Sequence, residues 1–183
     1  MKNVFLVSDT HFGHTNICKF TNNDGSKVRP WDSSEEMDEF MVNAWNSVVK
    51  PTDKVYHLGD VVINRRHLPI LERLNGDKVL IRGNHDIFKD DEYRKYFREI
   101  RAYHVTQGMI FSHIPIHPDS LGRFGVNVHG HTHSNRMMID NKIDVRYHCV
   151  CVEQTNFAPI PLDEVKTRII NEGGMITMKH GNY

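Results

Sequence analysis

Residues 4–14 read VFLVSDTHFGH: the apolar run Val4, Phe5, Leu6 and Val7 leads straight into Asp9 and His11. The same construction recurs along the chain. Val55 to Leu58 precede Asp60 in LGDVV (58–62), Val79, Leu80 and Ile81 precede Asn84 in RGNHD (82–86), and Val126, Asn127 and Val128 precede His131 and His133 in HGHTH (129–133). A fifth block, SHIP (112–115), carries His113. Parallel α/β sheets bind their ligands beyond the carboxyl ends of the strands. Apolar runs that each end in a metal-competent side chain therefore predict an α/β fold with a site at one end of its strands.

The donor set narrows the chemistry. Asp9, His11, Asp60, Asn84, His113, His131 and His133 offer two carboxylates, one amide oxygen and four imidazoles. Such a mixed nitrogen and oxygen set suits manganese, iron, nickel or zinc better than calcium or a magnesium site. Two divalent ions about 3.5–4 Å apart can clamp a phosphoryl group, lower the pKa of bound water and neutralise charge on the phosphoryl oxygens. A carboxylate suits the bridge between them. Singly, each block has an ordinary reading: Asp9 as a helix cap or turn residue, GNHD as a turn, HGHTH as one structural zinc site. Together, each after an apolar run, they leave little to coincidence.

The order and wording of the five blocks resemble the calcineurin-like metallophosphoesterase superfamily, from near the N-terminus to residue 133. The resemblance implies a four-layer α/β/β/α sandwich of two mixed β-sheets flanked by helices, in a single domain over residues 1–183. It implies two divalent metal ions, manganese first and iron, nickel or zinc as alternatives. Asp9, His11 and His133 would hold one ion, Asn84, His113 and His131 the other, and Asp60 would bridge them. A hydroxide shared by the metals would attack phosphorus in line. His85 would assist the leaving oxygen as general acid or charge stabiliser, and Asp86 would orient His85 by hydrogen bonding. The short chain with SDTHFGH and SHIP is similar to small uncapped bacterial and phage phosphoesterases of this superfamily, so an open site and phosphodiesterase activity are expected, with phosphomonoester hydrolysis beside it. Two other readings stand next to it. Some relatives are protein-binding scaffolds, but these tend to lose donor or catalytic positions that this chain keeps. A nuclease acting on nucleic-acid ends would bind oligonucleotides in a salt-sensitive way.

Composition agrees with one compact enzyme. The chain has 183 residues, 39% of them hydrophobic and 25% charged, an ordinary globular balance. Lys plus Arg and Asp plus Glu are 23 each, for a net charge of zero. There is no general electrostatic footprint for long nucleic acid. The expected partner is a small phosphate ester such as a nucleotide. No apolar stretch approaches membrane-spanning length, and MKNVFLVSD enters a strand directly, so a cytoplasmic location without a signal peptide or membrane partner is expected. Cys18, Cys149 and Cys151 form no C-x-x-C pair and read as reduced thiols; on a strand, Cys149 and Cys151 would share a face. No exposed apolar stripe speaks to the oligomeric state.

Along the chain, Ser33 and Glu36 read as a capping box. Met37, Phe40, Met41, Ala44, Trp45 and Val48 then recur at helical spacing as a core-facing stripe. A second helix is expected over 66–74, closed by Asn75-Gly76, and a short one over 93–97. Residues 100–111 read as two strands around Gln107-Gly108, residues 143–152 as another strand, and Leu162–Asn171 as a final helix stopped by Gly173-Gly174.

The loops at 19–31 and 116–125 are expected to shape the pocket. His14, Arg123 and Arg29 are candidate phosphate-binding residues; the ordinary reading is a supporting or surface histidine for His14 and solvated surface arginine for both Arg123 and Arg29. Arg65 and Arg66 form a small basic patch. His117 and His129 lie beside the motifs, whereas His57, His67, His104, His148 and His180 have no assigned role and read as surface or satisfied core residues.

Overall fold

The apolar runs form strands β1 (Val4–Val7), β2 (Lys54–His57) and β3 (Asp77–Ile81), which lie parallel and in register. This computed structural model describes residues 2–22 and 24–177, so His180 lies outside the described residues. β4 (Glu99–Arg101) extends the first sheet in parallel beside β3. The second sheet contains β5 (His104–Thr106), β6 (Met109–Ser112) and β7 (Val126–His129). The hairpin β8 (Met138–Ile139) and β9 (Lys142–Ile143) stands apart, and β10 (Tyr147–Cys149) joins the second sheet. The chain returns through β11 (Ile160–Pro161), antiparallel to β1. The sheet orders are β11-β1-β2-β3-β4 and β10-β7-β6-β5, with β10, β7 and β6 parallel and β5 antiparallel.

Side chains on a strand alternate between faces, and this divides the core. Phe5, Val7, Val55 and Leu80 face helix α1 (Ser34–Val48) through Met37, Met41 and Trp45. Leu6, Tyr56, Leu58, Val79 and Ile81 face the second sheet through Met109, Phe111, Val126 and Val128. Helix α2 (Asp90–Tyr93) is one short turn, and helix α3 (Leu162–Asn171) closes the inter-sheet core with Leu162, Val165 and Ile169. The outer face of the second sheet is covered by the 3-10 segment Pro118–Arg123, whose Leu121 packs with Ile110 and Tyr147. The molecule is thus α/β, two mixed sheets with helical segments outside them. Among the described residues no helix is long and apolar enough to cross a membrane.

Several local expectations are corrected. On α1, Phe40 is 47% and Val48 40% exposed, and the buried stripe runs instead through Met37, Asp38, Met41, Val42 and Trp45. Phe40 packs at the surface against Trp31, the rings tilted by 45° with centroids 4.9 Å apart. Ser33 accepts from the Glu36 N–H at 3.2 Å, one half of a capping box. Arg65–Arg73 is a 3-10 helix containing Pro69; proline lacks an N–H and its ring clashes with the carbonyl four residues back, which penalises an α-helix here. The helical turn near 93 is Asp90–Tyr93. Residues 100–111 span the end of β4 in one sheet and the hairpin β5–β6 in the other, turning at Gln107 and Gly108, both at positive φ. The strand expected over 143–152 is broken into β9, β10 and a turn at Val152–Gln154.

Candidate metal centre

The strand ends deliver the donors into two adjoining groups. Asp9, His11 and His133 form one set whose ligand atoms lie within 4.8 Å of one another, and Asp60, His113 and His131 form the other. In the first, Asp9 Oδ1 is 3.6 Å from His11 Nε2 and 3.9 Å from His133 Nε2. In the second, Asn84 Oδ1 lies 2.8 Å from His113 Nε2 and 2.9 Å from His131 Nδ1. Asp60 Oδ2 sits between the sets, 3.4 Å from His113 Nε2 and 3.7 Å from His11 Nε2. The resemblance assigned these seven residues to two ions with Asp60 between them; the structure brings the seven side chains close together, with Asp60 clustered with His113 and His131 and within 3.7 Å of His11.

These atoms fit divalent cations. Asp9 Oδ1 and both ring nitrogens of His11 are buried without a hydrogen-bond partner, a costly state for polar groups that a cation among them would relieve. His113 Nδ1 lies 2.8 Å from the Leu58 carbonyl and His133 Nδ1 3.0 Å from Glu153 Oε1. A proton on each Nδ1 makes it the donor and leaves the Nε2 lone pair facing the site. Burial raises the affinity of Asp9 and Asp60 for a proton, yet the neighbouring His11 and His113 rings, with the Ser8 hydroxyl on Asp9 and the His85 N–H on Asp60, hold both carboxyls below the ordinary range. Burial disfavours protonation of His113 and His133, but the carboxylates of Asp60 and Glu153 raise both.

The turns that carry the donors are tightly built. Asp9, His11, Asp60, His131 and His133 all have positive φ, between 49° and 69°. Neighbouring glycines allow the turns to meet. A Cβ on Gly83 would lie 2.2 Å from Asp60 Oδ1, and one on Gly130 would lie 2.0 Å from Ser8 Oγ and 2.5 Å from Asp9 Oδ2.

Two charged side chains hold these turns in place. Arg29 was expected at the pocket or in solvent; instead it is fully buried, donating to the carbonyls of Asp9 at 2.6 Å and Thr10 at 2.7 Å and to Glu153 Oε1 at 2.9 Å. Glu153 thereby links Arg29 to His133. Nothing in the sequence marked Glu153, since it belongs to no block and follows an apolar strand like many surface acids. Asp86 does not orient His85 as expected. Its carboxylate accepts from the backbone N–H groups of Asp60, Val61 and Gly83 at 2.8, 3.0 and 2.8 Å, pinning the Asn84 turn to the Asp60 turn. Burial pushes its carboxyl pKa up.

His85 is exposed, with its backbone N–H on Asp60 Oδ1 at 2.8 Å and its ring 5.6 Å from that of His11. Beside it lies a cavity of ≈ 480 Å³. It is lined by His11, His14, His85 and His133, by the apolar Ile17, Phe20 and Val28, and by Asn22, Ser134 and Asn135. Burial lowers the His14 pKa to about 4, helped by the nearby His11 and Arg29. The 19–31 loop shapes this cavity as expected. The 116–125 loop does not line it, and the stretch after HGHTH contributes in its place. Arg123 is exposed at the end of the 3-10 segment Pro118–Arg123 and is not among the lining residues. Arg65 pairs with Glu92 at the surface. His57 is fully buried against Thr10 Oγ1 at 3.0 Å, a satisfied core histidine. Cys149 and Cys151 are free buried thiols, Cys151 lying 3.1 Å from Asp9 Oδ2.

Residues 2–148 match the family described as calcineurin-like phosphoesterase. The chain is 35% identical over 182 residues to an uncharacterized protein of Methanocaldococcus jannaschii, covering 96% of each chain. It is 34% identical over 91 residues to the gene 66 protein of Mycobacterium phage L5, covering 47% of this chain and 41% of that protein. Among solved structures, a protein of unknown function from Aquifex aeolicus superposes with a TM-score of 0.70 at 29% identity, covering 92% of this chain and all of that one.

Proposed function

Since this chain belongs to the calcineurin-like phosphoesterase family, we propose that it hydrolyses phosphodiesters, with phosphomonoesters as a second class, at a centre of two divalent ions. The observation that carries this reading is Asp60 Oδ2 standing between two donor sets, one of which contains buried unpartnered atoms. Bound there, the ions supply an activated water and neutralise charge on the phosphoryl oxygens; manganese suits the donor set first, with iron, nickel or zinc as alternatives. The residues of the chain then orient and exchange protons. His113 and His133 keep their Nε2 lone pairs in the site through Leu58 and Glu153. His85, anchored through its backbone to Asp60, stands at the cavity wall where an imidazole N–H reaches a leaving oxygen. His14, neutral at pH 7, offers one ring N–H to a phosphoryl oxygen in the same cavity. A small ester such as a nucleotide is the proposed partner.

The test is hydrolysis of bis(p-nitrophenyl) phosphate and p-nitrophenyl phosphate by metal-stripped protein with manganese, nickel, zinc or magnesium returned singly. Diester turnover restored by manganese or nickel and lost in Asp60→Asn is the expected result. Two ions bound per chain without turnover of either ester would overturn it and favour a scaffold that binds a protein partner.

A further inference from the structure

The cavity beside the donors is asymmetric. It reaches His11 and His133 of one set, together with His85, but no member of the Asp60, Asn84, His113 and His131 set lines it. Because His85 is the group placed to protonate the leaving oxygen, a group attached to that oxygen extends into this cavity. The apolar part of its lining is Ile17, Phe20 and Val28. Phe20 is 52% exposed, and its ring stands at 82° to that of His14 with centroids 6.0 Å apart. At the margins stand Asn22, Ser134 and Asn135, neutral groups that can donate and accept hydrogen bonds. No lysine or arginine among the described residues lines the cavity, and Arg29 nearby is consumed by backbone carbonyls and Glu153.

We propose that this cavity is the leaving-group subsite, and that it selects phosphate esters in which the group attached to the departing oxygen carries one uncharged flat aromatic ring, as a nucleoside does, seated on Phe20. The inference rests on the phosphoesterase reading above. In the step it implies, a water oxygen bonds to phosphorus while the bond to the alcohol oxygen breaks. The departing oxygen takes the His85 proton, and the proton lost by water passes to solvent. An apolar lining with neutral amides rewards an uncharged ring and gives nothing to a second phosphate, which sets nucleoside esters above polyphosphates and long nucleic acid. A volume of ≈ 480 Å³ admits one such group.

The experiment compares two diesters with the same strained five-membered phosphate ring, uridine 2′,3′-cyclic phosphate and ethylene cyclic phosphate, in wild type and Phe20→Ala. The exposure of Phe20 leaves the core intact in the variant, which thermal unfolding verifies. Stacking of one base on an aromatic side chain is worth about 1–3 kcal/mol, so the ratio of kcat/KM for the uridine ester over the ethylene ester should fall roughly 5- to 150-fold in Phe20→Ala. A ratio that stays within about 2-fold overturns the subsite, whatever the absolute rates. A second readout is independent of turnover: calorimetric binding of uridine to metal-free protein, expected in wild type and weakened in Phe20→Ala. Uridine bound by wild type while neither ester is hydrolysed would keep the subsite and remove the phosphoesterase reading; no binding, or equal binding by both proteins, would overturn the subsite.

Discussion

Replacing Glu153 with alanine should damage the protein twice over, by amounts that can be measured apart. Glu153 Oε1 accepts from Arg29 Nε at 2.9 Å and Nη2 at 2.8 Å and contacts His133 Nδ1 at 3.0 Å, while the Arg29 side chain is 0% and that of Glu153 3% exposed. Without the carboxylate, Arg29 keeps only the Asp9 and Thr10 carbonyls, and a buried guanidinium loses its counter-charge. Breaking one side of a buried pair costs about 3–5 kcal/mol. For a chain of this size each kcal/mol lowers Tm by about 2–4 °C, so a fall of roughly 6–20 °C is expected. His133 separately loses the partner that fixes its tautomer, a change that weakens metal affinity about 10- to 100-fold. Thermal unfolding in chelator reads the first effect, and calorimetric titration of manganese reads the second. Glu153→Gln keeps the shape and one acceptor and should fall between. An alanine variant that melts within about 2 °C of wild type would refute the role of the Arg29 pair, and unaltered manganese affinity would refute the orienting role at His133.

Three further outcomes are expected. Gly83→Ala places a Cβ 2.2 Å from Asp60 Oδ1 and 2.6 Å from the Asp60 nitrogen, so the Asp60 carboxylate must move; metal titration should lose at least one of the two proposed sites while circular dichroism keeps its wild-type shape, and two intact sites would refute the close approach. His85→Ala should bind metal as wild type yet slow diester turnover by about 10²- to 10⁴-fold, and an unaltered rate would remove His85 from the chemistry. Asp38 is buried beneath the Gly13 N–H, and burial raises its pKa from 3.8 to about 7. The native state therefore binds more protons than the unfolded chain between those values, and stability declines as pH rises across that window. Denaturant unfolding at pH 5 and pH 8 should show Asp38→Asn gaining on wild type at the higher pH; parallel profiles would count against this.

The donors and the strands beneath them were legible because both rest on local pattern. An apolar run followed within three residues by Asp, Asn or His states at once a strand and the group at its end, as Val4–Val7 with Asp9 and Val79 to Ile81 with Asn84 illustrate. The grouping of donors came from resemblance, and the structure sets Asp9, His11 and His133 in one cluster and Asp60, His113 and His131 in another. What stayed illegible depends on partners distant in sequence. Arg29 and Glu153 are separated by 124 residues and look like ordinary surface charges until the fold buries them together. Asp86 adjoins His85, which made a hydrogen bond between them attractive, but its carboxylate is directed inward to three backbone N–H groups. Phe40 kept its place in the helical period and lost its burial to Val42, because the period fixes a spacing and leaves the direction of the buried face to tertiary packing.

The cost of the donor turns explains why such side chains are needed. Five of the seven donors, Asp9, His11, Asp60, His131 and His133, sit at φ between 49° and 69°. Aspartate and histidine tolerate that region better than most residues, yet each such position costs of order 1 kcal/mol or more. Together they amount to roughly 5 kcal/mol, comparable to the whole net stability of a small domain. A left-handed turn also exposes backbone groups that no strand partner satisfies. Asp86 takes three of the N–H groups on the Asp60 and Gly83 turns, and Arg29 takes the Asp9 and Thr10 carbonyls. Neither side chain belongs to the donor sets, but together with the backbone bonds from Asp9 N–H to Gly59, His11 N–H to Asp60 and Gly130 N–H to His113 they hold the donors at these spacings. The donor geometry is therefore a property of the buried charges behind the turns as much as of the imidazoles in front, and substitutions at Asp86 or Arg29 should scatter the metal ligands before they unfold the sheets.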